Sequence, residues 1–332
     1  MTVVDSYSVA VIFSIITMLF WGSWANTQKW AGKTWRFELF YWDYVLGILF
    51  LSLIFGFTLG SFGDTGRGFV EDLSQASTGS VLWALGGGVV FNAANILFVA
   101  AIGIAGMAVA FPIAIGLALV LGTFFNFLLD PTANPVFLFI GVAFLIAAII
   151  FDGIAYKRLP QIDAKVSTRG LLLCLVAGLL MGFWYPVWAK SVSTNFVDLT
   201  PGMLGPYAAI FLLSIGILAS NFFFNTLMMK RPFVGEPVSF RDYFKGNSRV
   251  HLIGILGGLI WGLGTVFNII ASGEASFAIS YGLGQSAPMI GALWGIFAWK
   301  EFKEGDAKVN RLLAFMFLSY LIGLALVVYA GS

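Results

Sequence analysis

The sequence predicts an all-α polytopic membrane protein with ten transmembrane helices, built as two inverted five-helix repeats. Three observations lead there. Only 10% of the 332 residues are charged while 59% are apolar, whereas a soluble domain carries about 25% charged residues to clothe its core. The mean hydropathy is +0.93, and the apolar residues gather into ten runs of roughly the 20 residues that cross a bilayer as helix. The bases fall almost wholly on one set of loops.

The ten runs are Ser8 to Gln28, Leu39 to Leu59, Val81 to Ile102, Ala105 to Leu129, Val136 to Tyr156, Gly170 to Ala189, Met203 to Met229, Leu252 to Ala271, Ala275 to Trp299 and Leu312 to Ala330. Stretches such as Phe137 to Phe151 show no alternation, which argues against a barrel and for helices whose backbone satisfies itself. The first run does not read as a cleaved signal, because Asp5 stands where bases are usual and the apolar stretch continues to Trp21, Trp24 and Lys29.

The loops after the first, fifth, seventh and ninth runs hold Lys29, Lys33 and Arg36; Lys157, Arg158, Lys165 and Arg169; Lys230, Arg231, Arg241, Lys245 and Arg249; and Lys300, Lys303, Lys308 and Arg311. Only Arg67 and Lys190 lie on the other side. By the positive-inside rule the basic loops are expected in the cytoplasm and both termini outside.

Internal similarity suggests the repeat. An offset of 170 brings Gly87, Gly88, Ala101, Gly103 and Ala108 onto Gly257, Gly258, Ala271, Gly273 and Ala278, and one of 160 brings Gly22 and Trp24 onto Gly182 and Trp184. Residues 8–156 and 169–330 are then the two units. Five spans being odd, the second enters from the opposite side, as in many secondary transporters. Common glycines and alanines also produce such matches by composition alone.

Polar residues within apolar runs are costly and so mark sites. Asp43 lies five residues, about 7 Å of rise, inside the second span. It is a candidate for proton coupling; the other readings are a structural ion pair with Lys29 or an interfacial acid in an aromatic belt. Glu274 is expected to open the ninth span, where an acid suits the helix dipole, and is the second coupling candidate. Asn26, Asn92, Asn95, Asn268 and Gln285, with the aromatic residues Trp24, Trp184 and Tyr185, are candidates for contacting a solute, although amides also serve as glue between helices. The mixture favours a neutral solute bearing hydroxyl or amide groups.

Other classes fit poorly. The net charge of +2 gives no field that would draw nucleic acid. Cys174 and His251 are the lone members of their types, too few for a Cys/His metal site, and no metal or cofactor is expected. Neither a Walker loop nor a His-Glu-x-x-His pattern occurs, so neither a pump driven by its own ATPase nor an enzyme is expected. Membrane lipid, a small neutral solute and protons are the expected partners, with monomer and dimer both open.

Several of these residues resemble the plant ureide permeases. They are Phe20, Trp21, Gly22, Ser23 and Trp24; Tyr41, Trp42, Asp43 and Tyr44; Gly87 and Gly88 with Asn95; Leu121, Gly122 and Thr123 running to Asn126 and on to Asp130; Gly262 and Gly264; Gln285 to Pro288; and Trp294, Gly295 and Ile296. The likeness runs in order from the first span to the ninth. That family belongs to the drug/metabolite transporter superfamily, whose ten-helix members include glucose/ribose-type and rhamnose permeases. The resemblance implies secondary uptake of a sugar, a ureide or a nucleobase-like heterocycle, with proton symport frequent; export and equilibrative facilitation are the alternatives. The plant proteins carry a long cytosolic loop between the fifth and sixth spans, whereas Arg158 to Arg169 is short here, which points to a prokaryotic source and to a bacterial inner membrane.

Overall fold

A computed structural model describes residues 1–32, 35–159 and 167–332. Lys33 and Lys165 lie outside the described residues. The helices in order are α1 (Tyr7–Trp21), α2 (Ala25–Ala31), α3 (Phe37–Phe57), α4 (Phe69–Gln75), α5 (Thr78–Ala105), α6 (Met107–Ala110), α7 (Gly116–Leu129), α8 (Pro135–Lys157), α9 (Thr168–Ala189), α10 (Pro206–Lys230), α11 (Phe240–Phe244), α12 (Ser248–Ala275), α13 (Phe277–Gly284), α14 (Pro288–Leu293) and α15 (Ala307–Tyr329). Single π-helical turns precede α7, at Phe111–Ile115, and follow α14, at Trp294–Ala298. No sheet occurs among the described residues.

Nine stretches among the described residues are long and apolar enough to cross a membrane: Tyr7–Ala31, which joins α1 and α2, then α3, α5, Phe111–Leu129, α8, α9, α10, α12 and α15. The chain is therefore a polytopic helical membrane protein. Side chains such as Phe50, Phe222, Phe223, Leu252 and Leu321 stand more than half exposed, which suits lipid and not water.

The stretch expected as the ninth span departs from expectation. Ala275 to Trp299 is not one helix but α13, α14 and a π turn, none longer than eight residues. Pro288 has no N–H to donate and its ring crowds the preceding turn, so the helix stops at Gly284 and restarts with the proline in its first turn. Pro112 likewise sits in the π turn before α7. Helix starts are capped by side chains: Ser77, Asn134, Ser167, Asn247 and Asp306 each accept a backbone N–H of the first turn.

Two hairpins turn on one residue each. Gly106 (φ 76°) joins α5 to α6, and Ser276 (φ 70°) joins α12 to α13. Both are left-handed, which glycine adopts freely and serine rarely does. The hydroxyl of Ser276 accepts the Ile279 N–H at 3.4 Å, so Ser276 caps α13. Glu274, expected to open that span, instead lies exposed in the last turn of α12.

α5 packs on α9 and α10, α12 packs on α1 and α3, α7 packs on α9, α13 packs on α1, and α3·α10, α7·α13 and α8·α15 also pair. The α3·α12 seam closes on Gly47, against the Ile255 carbonyl, and Gly258, against the Tyr44 carbonyl. The α5·α10 seam closes on Gly216, against the Leu85 carbonyl, and Gly88, against the Leu213 carbonyl. Any Cβ at these four positions would strike backbone, so only glycine lets the helices approach this closely.

Candidate functional site

A cavity of about 930 Å³ lies between α1, α2, α5, α8, α9, α12 and the broken α13–α14 stretch. That is the size of a small-molecule pocket. At one end it is lined by Trp21, Phe91, Trp184 and Trp261. Trp21 and Trp261 are stacked, with centroids 6.2 Å apart and planes 9° apart. Phe91 lies 4.3 Å from Trp261 and 5.3 Å from Trp184. Phe91 and Trp261 each fall 13 residues into their helices, about 20 Å of rise, so this aromatic wall stands near the middle of a hydrocarbon layer about 30 Å thick. Beyond it Tyr185, Trp188, Phe277 and Tyr281 are fully buried. Tyr281 Oη donates to the Met181 carbonyl at 3.0 Å and tightens that closure.

The other end widens between Lys29, Arg36, Trp299 and Glu301, beside the basic loops, and Gly103, in the last turn of α5. The breaks in the helices make this room. Gly22, Ser23 and Trp24 interrupt α1 and α2, and the turn before Pro288 interrupts α13 and α14. At the first break a Cβ on Gly22 would meet the Ala287 carbonyl at 2.5 Å, so the two breaks lie against each other.

Of the residues expected to meet a solute, Trp24, Asn26, Asn95, Trp184 and Gln285 line this cavity. Asn26 is held by two bonds, its Nδ2 donating to the Ser23 carbonyl at 2.9 Å and its Oδ1 accepting Trp299 Nε1 at 2.6 Å. Asn95 Nδ2 donates to Tyr41 Oη at 3.2 Å. The buried Trp184 Nε1 has no partner among the described residues, which leaves a donor at the aromatic wall. Asn92, Asn268 and Tyr185 are not among the lining residues. Asn92 turns to Ser220 of α10 at 2.9 Å, and Asn268 donates to the Ser280 carbonyl at 2.7 Å, tying α12 to α13.

Asp43 does not pair with Lys29. Its Oδ2 lies 2.9 Å from His251 Nδ1, and its Oδ1 accepts Tyr243 Oη at 2.7 Å, so one carboxylate ties α3 to α11 and α12. Burial, reinforced by that bond to Asp43, raises the hydroxyl of Tyr243 and keeps it a donor. Lys29 pairs instead with Glu301 at 2.7 Å, over the ring of Trp299. Helix α2 carries Lys29 away from α3, toward the segment after α14.

Residues not expected to meet a solute complete the cavity. Trp21, Phe91, Tyr156, Asp152 and Glu301 all line it. Tyr156 Oη donates to Glu301 Oε2 at 2.9 Å. A charge inside an apolar run is the signal by which Asp152 can be found in the sequence, although it is not among the candidates named from it.

A family model described as ureide permease matches residues 40–159 and 154–330, the two matches meeting at the end of α8. Ureide permease 1 of Arabidopsis thaliana is 23% identical, the alignment covering 100% of this chain and 99% of that protein. Ureide permease 3 of the same plant is 29% identical over half of each chain, 51% of this one and 50% of that one. A putative sugar uptake protein of Enterococcus faecalis is 24% identical over 89% of this chain and 91% of its own. A protein of known crystal structure superposes with a TM-score of 0.63 over 98% of this chain and 100% of that one, at 15% identity, a likeness of fold alone.

Proposed function

The chain belongs to the ureide permease family, and on that premise we propose that it is a secondary transporter taking up a small, neutral, amide-bearing solute of the ureide or oxo-heterocycle class by alternating access. The observation that carries this reading is the mid-membrane cavity, where the unpartnered indole N–H of Trp184 and the amides of Asn95 and Gln285 meet a wall of stacked indoles. A flat solute stacks on that wall while its carbonyl accepts from Trp184. A sugar is the second reading, favoured by the name of the Enterococcus faecalis relative.

The same reading has ten passes, the ninth made by α13, α14 and the π turn, in two inverted units of residues 8–156 and 169–330. Its support is the packing. Gly88 and Leu85 stand 170 positions before Gly258 and Ile255, as Gly106 does before Ser276, and each makes the same kind of contact or turn as its counterpart. The basic loops lie in the cytoplasm of a prokaryotic cell, both termini lie outside, and the cavity opens inward. Coupling to protons belongs to the reading as well. Asp43 sits in a two-partner lock off the cavity and Glu274 on an exposed turn, so either would couple through helix movement and not by touching solute.

Uptake of radiolabelled allantoin, uracil and glucose into proteoliposomes, with and without a pH gradient, tests the proposal. Uptake of allantoin or uracil that Trp184→Phe weakens is expected, since phenyl keeps the stacking and lacks the donor. Uptake of glucose alone would select the second reading, and uptake of none of the three would count against both.

A further inference from the structure

The wall of the cavity near the basic loops holds the carboxylates of Asp152 and Glu301, the ammonium of Lys29 and the guanidinium of Arg36, which is paired with Glu38 at 2.6 Å. Glu301 is fully engaged, by Lys29 at 2.7 Å on one oxygen and by Tyr156 at 2.9 Å on the other. Asp152 is not. It is 4% exposed, lines the cavity, and its Oδ1 has no hydrogen-bond partner among the described residues. It lies four residues before Tyr156 on α8, hence on the same helix face.

The groups facing it are few. From α15 comes Tyr320, fully buried, whose hydroxyl also has no partner. From its own helix comes Tyr156, and from the segment after the second π turn comes Glu301, a like charge. α6, α7, α14 and the first π turn carry no ionisable side chain. Lys157, Arg158, Lys308 and Arg311 are exposed at the helix ends, and Lys29 is committed to Glu301. An ionised Asp152 therefore has a neighbouring anion and no cation of its own, and a proton is the smallest partner that supplies the balance.

We propose that Asp152 is the proton-binding carboxylate of this transporter, taking one proton from the outer solution and releasing it to the cytoplasm with each solute carried. The inference rests on the reading of the chain as a proton-coupled carrier and assigns the step to a residue that borders the cavity. Glu301 supplies the link to movement. It follows the π turn at Trp294–Ala298, and a Cβ on Gly295 would meet both Glu301 Oε2 and Tyr156 Oη at 2.9 Å. The π turn thus packs closely on the Glu301–Tyr156 pair, and that bond joins the segment after it to α8. Loss of the proton places two negative charges side by side and pushes that segment away from α8; gain of the proton lets it close.

Two measurements on the full chain in liposomes test this. Infrared difference spectra between acidic and alkaline buffer, which need no solute, are expected to show the carbonyl band of a protonated carboxyl group in an apolar setting. The band should vanish in Asp152→Asn, move in Asp152→Glu, and persist in Glu71→Gln, an exposed control. Accumulation of radiolabelled allantoin driven by a pH gradient should fall to equilibrium in Asp152→Asn while counterflow exchange persists. A band unchanged in Asp152→Asn, or accumulation against the gradient by that variant, overturns the proposal. Should Asp152→Asn fail to fold, Asp152→Glu decides: a band that does not move overturns it. If the wild type carries no allantoin, the solute reading fails while the infrared result still judges Asp152.

Discussion

On the face opposite the basic loops, the buried carboxylate of Asp72 accepts Arg67 Nε at 3.0 Å and the N–H of Gly205, where α10 begins, at 2.7 Å. On the basic-loop face the buried carboxylate of Asp43 is held by His251 at the start of α12 and by Tyr243 of α11. Each acid locks the first turn of a long helix at one end of a glycine-closed seam, yet the partners differ in kind. A guanidinium stays charged and forks across several acceptors, and Arg67 also donates to the Met203 carbonyl at 2.6 Å. The imidazole of His251 instead meets both carboxylate oxygens through one ring nitrogen, at 3.0 and 2.9 Å. The difference teaches how firmly each end of the bundle is held: the Arg67 end by a charged fork that spans several acceptors, the Asp43 end by single side-chain bonds to a tyrosine and a histidine.

The sharpest way to break the comparison is to attack the seams that both locks sit on. Gly258→Val and Gly88→Val each drive a branched side chain into a carbonyl of the facing helix, and each should cost about 3 kcal/mol or more, at the upper end of overpacking. Thermal unfolding in detergent should show similar losses for the two. A loss confined to one seam would deny that they are equivalent.

The locks themselves come next. Arg67→Ala leaves a buried carboxylate without its cation and should cost about 3 kcal/mol. His251→Ala leaves Asp43 with the Tyr243 bond and should cost about 1 kcal/mol, the value of one hydrogen bond. Equal losses in unfolding assays would remove the asymmetry between the two faces.

The smallest effect is at the cap of α15. The N–H groups of Val309 and Lys308 hold the carboxyl of Asp306 below its ordinary value of 3.8. Its folded-state value being depressed, the contribution is complete above that ordinary value and is lost as pH falls through the lowered one. Asp306→Asn keeps a capping acceptor, so it should match the wild type at neutral pH and show less acid-dependent loss in the same melts.

The sequence made the spans legible because lipid demands long apolar runs, and α3, α5, α8, α9, α10, α12 and α15 follow them closely. In the ninth, Pro288 marks a kink in the sequence, but the run stays apolar through it, and only the geometry shows that the helix stops at Gly284 and restarts at Pro288. Residue type alone could not tell which face of a helix an amide occupies: Asn95 turns to the cavity, while Asn92, three residues earlier, turns to Ser220. Pairings across the bundle were beyond reach for the same reason. Lys29 is close to Asp43 in sequence, yet the partner of Asp43 is 208 positions away and that of Lys29 is 272 away.

Access from the basic-loop face is the central claim, and one measurement tests it directly. Cys174 is the single cysteine and is buried, so Cys174→Ala gives a cysteine-free background. Gly291 lines the cavity, and a Cβ there meets nothing within 4 Å, so Gly291→Cys places a thiol in the cavity without disturbing its walls. A membrane-impermeant maleimide should label that thiol in inside-out membrane vesicles and leave it unlabelled in right-side-out ones. Labelling only from the outer side would contradict the account.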